Sequence, residues 1–217
     1  ANAYGHGAIK VASHLEDCAD CYGVSCTEEA IELRNSGINK TPILLMEGVF
    51  EVSELKLIEK YNLIVTVCNS KQLQWLLDNT FNKPVDVFVK YDSGMGRLGF
   101  QGEEFINAIN LLEENEKIGQ ITLMTHFSSA DDLNSTSTNE QISNFDKTLY
   151  SKKYSTSLAN SAAIMSCSES HREYTRPGIM LYGSSPFPEK NFLNKLTPAM
   201  TLSSVLISIK RFKVGQS

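Results

Sequence analysis

Lys90 and Arg97 stand seven residues apart in the run Lys90-Tyr91-Asp92-Ser93-Gly94-Met95-Gly96-Arg97-Leu98-Gly99-Phe100. Two cations joined by a glycine-rich loop can converge on one anion or must be held apart by one, although the same spacing also suits a solvated turn. In Ala1-Asn2-Ala3-Tyr4-Gly5-His6-Gly7 the glycines permit positive φ and a close approach of the backbone to something bulky; a plain strand-to-helix turn would look the same. A lone histidine, His126, lies in Thr125-His126-Phe127-Ser128-Ser129-Ala130. Asn160 and Ser161 fall at a helix start, where N–H groups and the helix dipole suit a phosphate dianion, and simple N-capping by either residue is compatible with that. Arg176-Pro177-Gly178-Ile179 adds a permanent cation beside a glycine.

Short apolar runs alternate with amphipathic stretches along the whole chain. Strands are predicted at 21–25, 43–46, 63–67, 85–90, 121–126 and 154–158, and a further one around Ile179 to Tyr182. Between them lie helical patterns. One is capped by Thr27, carries Glu28 and Glu29 in its first turn, and ends at Ser36-Gly37; another has Val52, Leu55 and Ile58 on one stripe. Others hold Leu73, Leu76 and Leu77, or run from Glu103 to Glu113 and from Glu140 to Leu149, with a short one at Ser161. Apolar strands separated by helices of one to three turns mean parallel βαβ units. Six or seven in series favour a (β/α)₈ barrel with its first strand largely missing over an open sheet, whose nucleotide-type glycine loop is absent. The chemically interesting residues then fall at strand C-termini, where a barrel keeps its active site.

Two stretches break the rhythm. Residues 131–138 are rich in Ser, Thr, Asn and Asp and read as a mobile surface loop. From Ala199 to Phe212 the pattern becomes β-branched and alternating, which predicts a long antiparallel strand. The expected organisation is a barrel domain over residues 1–195 and the beginning of an all-β domain over 196–217.

The chain has 217 residues, 41% hydrophobic and 21% charged, the composition of an ordinary soluble globular protein. A net charge of −5 with no basic cluster argues against nucleic acid as the main partner. No apolar run approaches the ~18 residues a membrane helix needs. Five cysteines without framework spacing, Cys18-Ala19-Asp20-Cys21 included, read as reduced thiols, and no metal site is expected.

These strings, in this order, resemble those of bacterial alanine racemases. The first is similar to that family's Lys-Ala-Asn-Ala-Tyr-Gly-His-Gly, whose lysine carries pyridoxal 5′-phosphate as a Schiff base; by the resemblance that lysine stands one residue before Ala1. The Lys90 to Gly99 string is similar to Lys-x-Asp-Thr-Gly-Met-x-Arg-Leu-Gly, with Ser93 in place of threonine. The resemblance implies that Arg97 pairs with the substrate carboxylate near the phenolic oxygen of the cofactor, and that Lys90 is the lysine many members carry as a carbamate bracing that arginine. It implies that His126 stacks near the cofactor ring and that Arg176 faces the pyridine nitrogen. Tyr4, Asn160, Ser161, Gly178 and Ile179 would hold the phosphate. No role is carried over to Ser157.

The implied activity is interconversion of L- and D-alanine for cell-wall synthesis, in a cytoplasmic homodimer with shared active sites. By the same resemblance neither base is a residue of this chain: the lysine precedes Ala1 and the tyrosine follows Ser217. Two other readings stay open at this point: a racemase of another amino acid such as serine on the same scaffold, and a single-barrel pyridoxal-phosphate-binding protein without turnover. The Lys90 to Arg97 string and the 199–212 pattern argue against the last.

Overall fold

Strand alternation organises the molecule. In the computed structural model, which describes residues 2–148, 153–188 and 196–216, Ile43, Leu45, Val65, Val67, Val87, Val89 and Leu123 point into the main core beneath the helices. Their neighbours Leu44, Phe88 and Met124 turn the other way and form a separate inner cluster with Met46, Ile64 and Tyr174 packed against it. Both faces are therefore largely apolar in the central strands, as a sheet covered by helices on one side and curled around an inner cluster on the other requires.

The sheet has six parallel strands: β1 (Tyr22–Val24), β2 (Ile43–Leu45), β3 (Leu63–Val67), β4 (Val85–Lys90), β5 (Ile118–Met124) and β6 (Ser155–Ser157). They pair in chain order, β1-β2-β3-β4-β5-β6. Strand order that never reverses is that of a singly wound barrel, which supports the barrel over the open doubly wound sheet. The helices are α1 (Ala8–Leu15), α2 (Thr27–Asn35), α3 (Leu55–Tyr61), α4 (Ser70–Asp78), α5 (Gly102–Glu113), α6 (Ser137–Asp146) and α7 (Ser161–Ser166). Among the described residues no helix is long and apolar enough to cross a membrane.

Several local expectations change. Thr27 is the first helical residue and not the cap; Cys26 takes that place, and the Thr27 hydroxyl donates instead to the buried Glu54 carboxylate at 2.7 Å. Residues Val52 to Glu54 form a 3₁₀ turn ahead of α3, leaving Val52 exposed while Leu55 and Ile58 are buried. Helix α6 begins at Ser137, inside the stretch read as loop, and Leu149, the expected end of that helix, lies outside the described residues.

The strand expected at Ile179 to Tyr182 is a 3₁₀ turn. The chain extends the sheet a little earlier: Tyr174 bridges to Ser157 in parallel, its N–H donates to Thr156 O at 3.1 Å, and the Arg176 N–H donates to Ala159 O at 2.9 Å. Pro177, with no N–H to give, then ends the pairing. No strand forms over 199–212, where Leu202, Val205, Ile207 and Ile209 are exposed. An alternating segment becomes a strand only beside a neighbour that takes up its N–H and C=O groups.

Candidate functional site

The same two-residue period aims the polar residues. Side chains two apart along a strand share a face, so Lys90 follows Phe88, His126 follows Met124 and Arg176 follows Tyr174 out of the inner apolar cluster. The Phe88 and Tyr174 rings meet edge to face at 5.7 Å, forming a floor for these groups.

Arg176 is the hub of one half. Its Nη1 donates to Ser157 Oγ at 2.6 Å, and its Nη2 donates to Thr125 O at 2.6 Å, to Leu158 O at 3.1 Å and toward His126 Nδ1 at 3.3 Å. Its Nε–H is buried and has no acceptor among the described residues. Among the described residues no carboxylate pairs with it; desolvation pushes its pKa down to about 10, which still leaves it protonated at neutral pH. An arginine can only donate, so His126 Nδ1 must accept and its ring proton sits on Nε2. Burial, then the charges of Arg176, Lys90 and Arg97, push His126 down to about 3. The ring is neutral.

Lys90, the last residue of β4, is 6% exposed. Burial holds its amine below the ordinary lysine value; Cys68 and Glu47 pull upward, and Arg97 and Arg176 pull downward. Arg97 itself is exposed, on a loop closed by Asp92. The Asp92 carboxylate accepts from the N–H groups of Gly94 at 3.1 Å and Gly96 at 3.0 Å and from the Gln101 amide at 3.0 Å. Burial alone would raise its pKa, and these donors outweigh burial and hold it below the usual carboxylate range. Gly99 permits the closure: at φ +123°, a Cβ there would lie 2.7 Å from Asp92 N and 2.9 Å from Lys90 O.

The second half of the site joins the segment around Tyr4 to residues 160–182. Asn160 caps α7, accepting from the Ala163 N–H at 3.1 Å. Ser161 Oγ accepts from the Gly178 N–H at 2.8 Å, which leaves the hydroxyl proton for another acceptor. Ile179 opens the following 3₁₀ turn, so its N–H has no acceptor within that turn. The Tyr4 hydroxyl lies over Gly178, where an added Cβ would stand 2.5 Å from it. Tyr182 packs 5.1 Å from the Tyr4 ring and stacks on His6 at 4.4 Å.

Of the residues singled out from the sequence, Arg176 and His126 are brought into contact, with Lys90 and Arg97 within electrostatic reach of both or of one. Tyr4, Ser161 and Gly178 also converge, with Asn160 and Ile179 beside them in the chain. Ser157 and Tyr182 join the site through contacts that no local motif announces, and Asp92, which stands in the Lys90 to Gly99 string without an expected role, closes its loop. Cys21 and Cys68 are pushed up to about 11, chiefly by burial, and are poor thiolates. Among the described residues no cluster of three His, Cys, Asp or Glu could hold a metal.

Two features fit an anionic, ring-bearing cofactor such as pyridoxal phosphate. One is the buried Nε–H of Arg176, a donor without a protein acceptor in a neighbourhood of cations. The other is the cradle between Tyr4, Ser161 and Gly178, which any side chain at 178 would fill.

The family described as "Alanine racemase, N-terminal domain" matches residues 1–186. The chain is 42% identical over 217 residues to the alanine racemase of Pseudomonas syringae, and 40% identical over 217 residues to the catabolic alanine racemase of Pseudomonas putida. Each alignment covers 100% of this chain and 60% of the relative, so the chain spans less than two thirds of their length. Among solved structures, the biosynthetic alanine racemase of Pseudomonas aeruginosa superposes with a TM-score of 0.86 at 38% identity, covering 91% of this chain and 55% of that one. The enzyme from Acinetobacter baumannii gives a TM-score of 0.80 at 34% identity, with the same coverage of both chains.

Proposed function

Because the chain belongs to the alanine racemase family, we propose that it forms the cofactor-binding barrel of an enzyme that interconverts L- and D-alanine with pyridoxal 5′-phosphate. The observation that carries this reading is the neutral His126 held by Arg176 at the strand ends, with Lys90 and Arg97 close by and no carboxylate paired with any of the three cations among the described residues.

When bound, pyridoxal phosphate withdraws electrons from the α-carbon of the amino acid and makes its proton acidic. Ser161 offers its hydroxyl, Tyr4 its phenol, and Gly178 and Ile179 their backbone to the phosphate, on a turn that Asn160 caps. Arg176 stays cationic and can only donate, so it keeps the pyridine nitrogen unprotonated. Proton transfer at the α-carbon would then depend on well-placed bases. His126, neutral, orients and packs and takes no proton. Arg97 binds the substrate carboxylate. Lys90, whose amine burial holds below the ordinary lysine value, combines with CO₂, releasing a proton, and the resulting carbamate braces Arg97.

Racemisation needs one proton-transferring group on each face of the α-carbon. We assign these to the family's cofactor-bearing lysine and to a tyrosine of the partner subunit, and to no residue of this chain. The working unit is accordingly a homodimer with shared sites, cytoplasmic, supplying D-alanine to peptidoglycan. Residues from 196 onward begin a second, all-β domain, in which the exposed apolar side chains of 199–212 find their strand neighbours.

The test is to titrate the full-length protein with pyridoxal phosphate, following cofactor absorbance, and then to analyse L-alanine incubations by chiral chromatography. Saturable binding at one cofactor per subunit with accumulation of D-alanine is expected. Stoichiometric binding with no D-alanine would overturn the assignment.

A further inference from the structure

We propose that Gln141 is a positioning residue for the site: its amide locks the loop that carries Arg97 to the strand end that carries His126. The inference rests on the functional reading above for its catalytic consequence, and on geometry alone for the coupling.

Gln141 sits in the first half of α6 with 3% of its surface exposed. Its Oε1 accepts from Ser128 N–H at 2.9 Å and from Ser128 Oγ at 3.2 Å. Its Nε2 donates to His126 O at 3.1 Å and to Ser93 Oγ at 3.2 Å. All four hydrogen-bonding positions of the amide are used. The orientation is dictated by the partners: Ser128 N–H can only donate and His126 O can only accept, so the amide cannot turn over without losing both.

The lock continues past Gln141. Ser93 Oγ receives the amide proton and also shares a hydrogen bond with Thr125 Oγ1 at 2.7 Å. Thr125 adjoins His126, and its carbonyl accepts from Arg176. From the same helix, Asn144 Nδ2 donates to Ser93 O at 3.2 Å. Gly94 lets the loop come this close, since a Cβ there would lie 3.3 Å from Gln141 Cγ at a φ of +143°. One helix therefore holds two barrel-mouth segments that belong to different βα units. Arg97 is four residues from Ser93, and the Lys90 carbonyl is tied to the other end of the same loop through the Phe100 N–H at 2.9 Å.

An amide is required because one end must accept from an N–H while the other donates to a C=O. Gln141→Glu makes this testable by pH. A protonated glutamic acid still accepts at one oxygen and donates at the other, whereas an ionised one sets two acceptors, its own oxygen and His126 O, against each other. Burial raises the pKa of the introduced acid, and so does the Asp92 carboxylate; Arg97, Lys90 and Arg176 act in the opposite sense, and His126 is neutral. Gln141→Ala removes the lock outright. Ile142→Val, the buried neighbour on the same helix, changes packing and leaves the amide in place.

Hydrogen exchange by mass spectrometry on the full-length cofactor-free protein reads the coupling without any activity. Gln141→Ala should speed exchange in both 91–101 and 125–129, and Ile142→Val in neither. In the holoenzyme, the Gln141→Glu to wild-type ratio of kcat/KM for L-alanine should fall roughly tenfold between pH 6 and pH 9, carried mainly by KM. A ratio flat with pH, loosening of one segment alone, or equal loosening by Ile142→Val would overturn the proposal. If the wild-type enzyme does not racemise alanine, the functional reading fails while the exchange result still decides the lock.

Discussion

Arg176 Nη2 lies 3.3 Å from His126 Nδ1, and this contact fixes the tautomer of the histidine. Burial does most to keep the ring neutral, and the charges of Arg176, Lys90 and Arg97 act in the same sense. The folded protein keeps His126 unprotonated down to about pH 3, whereas the unfolded chain protonates it below its ordinary value of 6.5. The unfolded state thus binds more protons across that window, and acid costs stability, by about 1.4 kcal/mol per pH unit from this residue. Histidine NMR titration of the full-length protein should show His126 neutral from pH 8 to pH 4, with Nε2 protonated. Replacing Arg176 by methionine should raise the His126 pKa yet leave it under 6.5, because desolvation is the larger cause.

Gly178 tests the cradle through Tyr4. Its φ of −115° is ordinary, but its ψ of −101° falls between the α and β regions, so Gly178→Ala adds backbone strain, and the new methyl group meets the Tyr4 hydroxyl. We expect a stability loss of about 1–3 kcal/mol. Cofactor affinity, measured by absorbance titration, should fall roughly tenfold, the loss of about one hydrogen bond to a charged group. Unchanged affinity would place Tyr4 outside the phosphate site.

The Asp92 carboxylate is the closure of the Arg97 loop. Asp92→Asn replaces one acceptor oxygen by an NH₂ group that must face N–H donors from Gly96 or Gln101. A stability loss of about 1–2 kcal/mol is expected, and KM for alanine should rise more than kcat falls, because the loop carries the carboxylate-binding arginine. Equal KM in the variant and the wild type would separate the loop from substrate binding.

Lys90 gives a spectroscopic test. Full-length protein exchanged with ¹³C-bicarbonate should show a protein-bound carbamate resonance that Lys90→Ala abolishes. Its absence at saturating bicarbonate would leave Arg97 without the proposed brace.

The strands and their sequence order could be read from the chain because apolar runs such as Val85 to Lys90 are local signals. The strand ends they defined also placed Lys90 and His126 where a barrel keeps its site. What escaped depended on neighbours distant in sequence. Tyr174 to Arg176 extends the sheet despite polar side chains, because Thr156 and Ala159 accept its N–H groups. Ile179 to Tyr182 has strand composition and turns instead, between the Gly178 backbone and Gly183 in the left-handed region. Ser157 and Gln141 are ordinary polar residues in sequence, and their roles rest on the partners Arg176 and Ser128 that folding brings to them.

Solvent deuterium incorporation tests the central claim most directly. The full-length holoenzyme is incubated in D₂O with L-alanine and, separately, with D-alanine, and Cα–H loss is followed by proton NMR alongside enantiomer composition. The account predicts exchange from both enantiomers converging on an equal mixture, with the rate strongly reduced in Arg97→Leu and KM raised. Cofactor bound at full stoichiometry with the α-proton of alanine retained in both directions would contradict it.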